Sequence, residues 1–351
     1  MKKTGNKKIN ILVTGASNGV GQSILKSLKI SKLKINVIPG DISSNNPVKF
    51  RYSKFVIFPK VESKNSLSQI IKIIRINKIQ ILFVGSEYEI EFFARNKILI
   101  EKETACIVSV SSLKTILISN DKYKTFLFLK KIKVNCPKTF ECKNMNDAIK
   151  NSKKTRFPLY IKPKNGTSAK NTFFCKNIVE LKSYYKIVEN PIIQEFIGNG
   201  QRTINNNEYT CSYFVDKKNK MIGPFIAKRN LKFGTSWQIE IVKNNKLKNL
   251  MNTICKNLDV SGSVNVQFKE KNSNIYPIEI NSRFSGTTAV RANFGFNEPE
   301  MFIKNYFLNQ DIKNINIRYG KVYRYIEEVF INKKLKNNKM MNKKSYINKW
   351  F

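Results

Sequence analysis

Histidine is missing from this chain of 351 residues, and its absence removes a whole class of chemistry. Imidazole general acid/base catalysis, Ser-His-Asp triads and His-ligated metals are all excluded. Acidic residues are scarce, 24 against 64 Lys plus Arg, leaving a formal charge of +40. Such an excess suggests a polyanionic partner. Lysine, however, is spread over every segment alongside abundant Asn and Ile, and no arginine-rich stripe with interleaved aromatics occurs. The charge therefore reads as biased base composition, and no nucleic-acid partner is expected. The six cysteines form no C-x-x-C pair and several sit in apolar runs, as buried thiols in a reducing compartment would. No stretch approaches the roughly 18 apolar residues of a membrane span. The basic opening MKKTGNKKIN precedes an apolar run that is short and broken at Thr14-Gly15, which suits a buried strand rather than a signal peptide. A soluble cytoplasmic protein without a membrane partner is expected.

The chain is longer than one hydrophobic core usually fills, and 41% hydrophobic residues suffice for two or three packed units. Through the first third, strand and helix patterns alternate: a strand at 9–13, a helix at 21–30, a strand at 35–39, a helix at 67–77 and a strand at 80–84. Short apolar strands separated by helices read as a parallel, doubly wound sheet. A new helix opens near Asp121, with Ser119, Asn120 and Asp121 as candidate caps, and runs to about Lys131. A boundary is placed there. Beyond it, strands at 159–162, 172–175, 192–197, 209–216, 221–227, 264–269 and 275–281 have hairpin spacing and indicate a largely antiparallel α+β region. The expected organisation is an α/β, doubly wound domain over 1–118, an α+β domain over 119–325 with lobes of about 119–190 and 191–325, and a basic tail over 326–351.

The stretch NILVTGASNGVGQSILKSL places Gly15, Gly19 and Gly21 between a strand and a helix, and Asp41 follows about 20 residues later. That layout suits a dinucleotide fingerprint. A short-chain dehydrogenase also needs Tyr-x-x-x-Lys on a helix. The spacing occurs at Tyr160/Lys164, which spans a proline, and at Tyr213/Lys217, which ends a strand. Neither is a good dyad, and the second half of the chain would stay unexplained.

The segments VNVQF and IYPIEIN carry a different chemistry. Alternation puts Asn265 and Gln267 on one side of their strand and Glu279 and Asn281 on one side of theirs. A hairpin through 271–274 in the in-phase register sets Gln267 across from Glu279 and makes a patch of oxygen ligands suited to Mg²⁺. An isolated E-x-N is otherwise a solvated strand face. Arg283, two residues on, brings a fixed cation to where a transferring phosphoryl group would build charge.

In order along the chain, VTGASNGVGQSILKSLK, VSSLKTILISNDKYKTFLFLKK, PLYIKPKNGTSAKN, IIQEFIGNGQ, EYTCSYFVD, VNVQF and PIEINSRFSGTTAVRANFGFNEPE resemble an ATP-grasp ligase. The likeness is to the synthetase halves of the carbamoyl phosphate synthase large subunit, over about residues 9 to 310. It implies a pre-ATP-grasp first domain facing the substrate, then an ATP-grasp domain binding ATP with Mg²⁺ or Mn²⁺. Lys122, Lys162, Gly166 and Ser168 would hold the phosphates. Gln194, Glu195, Phe196 and Ile197, on an edge strand leading to a turn, would surround the adenine, and Glu208 would take the ribose hydroxyls. Read without the resemblance, Glu208 is equally a surface carboxylate. Gln267, Glu279 and Asn281 would be metal ligands and Arg283 catalytic. Glycines common in the phosphate loop are replaced by Ser168 and Asn171, and Ser282 stands where a proline is common.

The implied activity is ADP-forming carboxylate-amine ligation through an acyl phosphate, with small-molecule carboxylate and amine substrates; homo-oligomerisation is left open. With one ATP-grasp unit and no glutaminase, carbamoyl phosphate synthesis itself is not implied. The glycine-poor loop leaves a nucleotide-binding relative without ligase activity as the alternative, with the dehydrogenase third.

Overall fold

The computed structural model describes residues 8–166, 170–198, 207–232, 234–327 and 329. Its first sheet is parallel: β1 (Ile9–Val13), β2 (Ile35–Asp41), β3 (Val56–Ile57), β4 (Ile81–Phe83) and β5 (Ile107–Ser109), in the order β3-β2-β1-β4-β5. Helices α1 (Gly19–Lys29), α2 (Ser66–Ile76) and α3 (Ile90–Thr104) connect them. The strands are apolar on both faces because both are covered. Ile11, Val13, Ile81 and Phe83 pack on the α1 side, while Leu12, Ile38, Leu82 and Val108 pack with Ile70, Ile74 and Phe93 on the other. The strand order reverses between β1 and β4, so the loops after these two strands flank the crevice where such sheets take ligands.

The glycines of the opening motif serve this packing. A Cβ at Gly21 would lie 2.2 Å from the Gly15 carbonyl oxygen, and one at Gly85 would lie 2.2 Å from that of Thr14. Helix α1 therefore sits against the ends of β1 and β4 only because both positions lack a side chain.

Asp121 is the cap expected from the sequence, its carboxylate accepting from the Tyr123 and Lys124 amides at 2.9 and 3.0 Å. It separates α4 (Leu113–Asn120) from α5 (Lys122–Lys131). Ser119 and Asn120 are thus the last turn of a helix absent from the sequence reading, not caps. Next comes an antiparallel sheet of β6 (Thr139–Glu141), β7 (Leu159–Pro163), β8 (Phe173–Cys175) and β9 (Pro191–Glu195), in the order β6-β9-β7-β8, packed on α6 (Met145–Thr155) and α7 (Ile178–Tyr185). β9 is an interior strand, not the edge that its residues suggest. Its main chain is engaged on both sides as far as Glu195.

The largest sheet is also antiparallel. It comprises β10 (Glu208–Val215), β11 (Met221–Lys232), β12 (Thr235–Ile241), β13 (Gly262–Lys271), β14 (Asn274–Asn281) and β15 (Lys321–Tyr323), ordered β14-β13-β10-β11-β12-β15. One face buries Val264, Val266, Phe268 and Ile280 with Leu247, Met251 and Ile254 of α8 (Asn245–Lys256). α9 (Thr288–Asn293) and α10 (Glu298–Phe302) return against α1. Phe83 of the first sheet meets Phe284 and Phe302 edge-on, at 5.4 and 5.5 Å between centroids, so one continuous core joins the first sheet to the last. Most of the basic 326–351 stretch lies outside the described residues, and no helix among them is long and apolar enough to cross a membrane.

Candidate active site

A cleft of about 980 Å³ opens between the three sheets. The hairpin of β13 and β14 forms its floor. Asn272 and Ser273 both have positive φ, +49° and +60°, which matches the two-residue turn whose twist suits a hairpin. Carried straight from that turn, the register would set Gln267 opposite Ile278; past a one-residue shift it pairs Gln267 with Glu279 and Asn265 with Asn281. A bulge inserts Ile278 between Glu279 and Pro277, and the proline is accommodated because β14 is an edge strand. All four polar residues line the cleft. Asn281 Nδ2 donates to Glu279 Oε1 at 3.1 Å, and Thr210 Oγ1 donates to Asn265 Oδ1 at 2.6 Å.

A second row of charges crosses the same face. Glu208 pairs in register with Arg229 on one side and Lys269 on the other. Its carboxylate lies 3.4 Å from Arg229 Nη2 and 3.2 Å from Lys269 Nζ, and its side chain is only 5% exposed. Arg229 Nη2 also donates to Gln267 Oε1 at 2.7 Å.

Cations enter from the other elements. Lys162 on β7 donates to Gln194 Oε1 at 2.7 Å, and Gln194 Nε2 donates to Thr139 Oγ1 at 3.0 Å. Burial, reinforced by the positive charge of Lys122, pulls the Lys162 ammonium down to about 7. Lys122, at the start of α5, is likewise lowered by burial, and its Nζ donates to the Gly166 carbonyl at 2.8 Å. Gly166 itself has φ +118°, a conformation that side chains rarely adopt. Arg283, just past β14, forms an ion pair with Glu87 from the loop after β4 and donates to the Phe284 carbonyl at 2.8 Å. Behind it, the buried pair Arg291–Glu298, with Ser285, Thr287 and Thr288 bound to the guanidinium, anchors the turn that follows Arg283.

Comparison with known proteins follows the same outline. Residues 201–329 match the family described as "ATP-grasp in the biosynthetic pathway with Ter operon". The carbamoyl phosphate synthase large chain of Helicobacter pylori is 25% identical over 317 residues, 81% of this chain and 28% of that one. The coenzyme gamma-F420-2:alpha-L-glutamate ligase of Methanocaldococcus jannaschii is 36% identical over 92 residues, 25% of this chain and 32% of that one. The chain therefore spans about a third or less of these relatives' lengths. The structure of N5-carboxyaminoimidazole synthetase from Staphylococcus aureus complexed with ADP superposes with a TM-score of 0.69 at 14% identity, covering 89% of this chain and 81% of the other. The chain has the ATP-grasp fold. Over most of its length it resembles the synthetase halves of the carbamoyl phosphate synthase large chain.

Within this ATP-grasp cleft the structure gathers Lys122, Lys162, Gly166, Gln194, Glu195, Ile197, Glu208, Gln267, Glu279, Asn281 and Arg283. Phe196 is not among the lining residues: its ring is buried against Tyr160 and Phe174, with centroids 5.6 and 4.9 Å away. Ser168 lies outside the described residues. Because β9 is paired on both sides through Glu195, main-chain groups available to a ligand edge begin at Phe196 and Ile197. Lys269 and Glu87 escaped the sequence reading. Lys269 had a readable signal, since it continues the alternation of Asn265 and Gln267, whereas nothing near Glu87 in sequence announces its partner 196 residues on.

Oxygen donors for a divalent cation are present but few. Glu279 and Asn281 fit an ion that keeps several waters and takes phosphate oxygens as ligands. Gln267 fits less well, because its oxygen already accepts from Arg229. No cluster of three or more His, Cys, Asp or Glu able to hold a metal occurs among the described residues.

The dinucleotide reading loses its acceptor. Asp41 Oδ2 receives the Ser17 amide and hydroxyl at 2.8 and 2.7 Å, so the carboxylate that would take a ribose is tied to the glycine loop after β1. Tyr160 and Tyr213 both lie on strands, and Tyr213 is buried, donating to Asn252.

Proposed function

We infer that this chain is an ATP-dependent carboxylate-amine ligase forming an amide through an acyl phosphate, with ADP as product and Mg²⁺ or Mn²⁺ as cofactor. The observation that carries the reading is the in-register pairing of Gln267 with Glu279 and Asn265 with Asn281, two residues before Arg283, on a cleft that Lys162 also lines. The names of the glutamate ligase and carbamoyl phosphate synthase relatives support the same reaction class.

In this reading Lys122, Lys162 and the Gly166 loop hold the phosphate chain, and Glu279 and Asn281 hold the divalent cation. The cation would neutralise charge on the transferring phosphoryl group. Arg283 stabilises that group as a substrate carboxylate oxygen forms the new P–O bond and the bond to ADP breaks. The amine nitrogen then attacks the acyl carbon, and inorganic phosphate departs with the bonding electrons. A chain without histidine has no imidazole to receive the amine's proton; the departing phosphate is basic enough to take it.

Hydroxylamine tests the reading. Offered with ATP and candidate acids, it should be acylated to a hydroxamate, with one ADP and one phosphate per product and no AMP. AMP formation would overturn γ-phosphoryl transfer. Thermal protection by ATP without hydroxamate or ADP release across the acids would favour a nucleotide-binding role without ligation.

A further inference from the structure

Arg229 is the buried cation whose position the ligase reading leaves unused. It is 8% exposed on β11, and its guanidinium reaches three partners: Gln267 Oε1 at 2.7 Å, Glu208 Oε2 at 3.4 Å and Ser236 Oγ at 3.4 Å. Its Nε has no partner among the described residues although it is buried. Glu208 does not neutralise the row, because Lys269 shares the same carboxylate. A net positive charge thus stands over Gln267 and borders the cleft.

A divalent ion bound at the Gln267 oxygen would sit about 4 Å from the guanidinium nitrogen already bonded there, where like-charge repulsion is strong. The facing strand differs, although Glu279 lies directly across from Gln267. Glu279 and Asn281 together carry one negative charge and two amide or carboxylate oxygens beyond the bond they share.

We propose that Arg229 takes the place of a second divalent cation, so that the polyphosphate is held with one metal ion, at Glu279 and Asn281 on β14, and with the guanidinium bound to Gln267 on the facing strand. The unpartnered Nε and the long 3.4 Å contacts leave the guanidinium with donor capacity for phosphate oxygens, which match its fork better than a point charge does. The proposal rests on the ATP-binding reading above.

Mn²⁺ counting tests it without turnover. Wild-type protein is saturated with adenylyl imidodiphosphate, Mn²⁺ is titrated in, and the free ion is read by electron paramagnetic resonance. One tightly bound Mn²⁺ per bound nucleotide is expected, and Arg229→Met should gain a second, at least about tenfold tighter than in the wild type. Arg229→Lys keeps the charge and should stay at one, which separates the charge effect from disturbed folding. Two tight ions in the wild type would overturn the proposal, as would an Arg229→Met variant of unchanged melting temperature that still binds one. Calorimetry of the analogue alone is a separate arm. Absence of nucleotide binding there would defeat the ATP reading itself and the proposal with it, whereas binding with two ions would defeat only the proposal.

Discussion

Nucleotide binding should take up a proton at Lys162. Burial and the positive charge of Lys122 hold its ammonium down to about 7 in the free protein. At pH 8 only about a tenth of the side chain is charged, since one pH unit above a pKa leaves about one part in eleven protonated. A polyphosphate beside it restores the ordinary lysine range, because an opposite charge within hydrogen-bond reach favours the charged form. The linked uptake is then about 0.9 proton per nucleotide at pH 8. Affinity should fall about tenfold for each pH unit between 8 and 9, a range in which the terminal phosphate, with a second pKa of about 6, is already fully ionised. Titration calorimetry of ADP in two buffers of different ionisation enthalpy reads the proton directly. Lys162→Arg, permanently charged, should bind with buffer-independent heat. Wild-type heats that do not depend on buffer at pH 8, with ADP bound, would refute the reasoning.

Glu279→Ala removes the only carboxylate of the hairpin patch and should reduce Mg²⁺-dependent ATP turnover by at least about 100-fold at unchanged melting temperature; unaltered turnover would place the metal elsewhere. Gly21→Ala drives a Cβ to 2.2 Å from the Gly15 oxygen and should cost about 1–3 kcal/mol in urea unfolding, while Gly19→Ala, with nothing within 4 Å, should cost nothing measurable. Glu89 is buried beside Thr14 and pushed up to about 7, chiefly by desolvation. The folded state therefore holds its proton more tightly than the unfolded chain, and the stability this group contributes is lost as pH rises from about 4.5 to 7. Glu89→Gln does not titrate, and should be the more stable at pH 8 by on the order of 3 kcal/mol and nearly equal to wild type at about pH 4; parallel pH-stability curves would contradict this.

The parts of the site legible in the sequence are those set by local periodicity. Alternation along two strands joined by a tight turn makes the polar face legible, and the apolar 264, 266, 268 and 280 positions select the buried face; the facing of Gln267 and Glu279 also needs the bulge at Ile278, because the turn alone would set Gln267 opposite Ile278. The doubly wound first sheet is readable for the same reason, because its strands are short, apolar and separated by helical spacing. The dinucleotide reading of the glycines goes astray at the same locus. Gly15 and Gly21 look identical whether the close approach is by a pyrophosphate or by a neighbouring strand end, and here it is the latter.

What stays illegible depends on which strands become neighbours. β9 looks like an edge from its own residues, yet β6 and β7 flank it, and that moves the available main chain two residues along. Glu208 reads as an exposed carboxylate until β10 is known to lie between β11 and β13, which deliver Arg229 and Lys269 to it from 21 and 61 residues away. The farthest case is Arg283. Its partner Glu87 comes from the loop at the point where the first sheet reverses its strand order, so the crevice of one sheet and the hairpin end of another share one ion pair. A charge pair between units cannot be inferred from the periodicity of either, because each side chain satisfies its own local pattern equally well facing water. The aromatic packing of Phe83 on Phe284 and Phe302, together with α9 and α10 against α1, draws the two units together beside that pair and makes the contact.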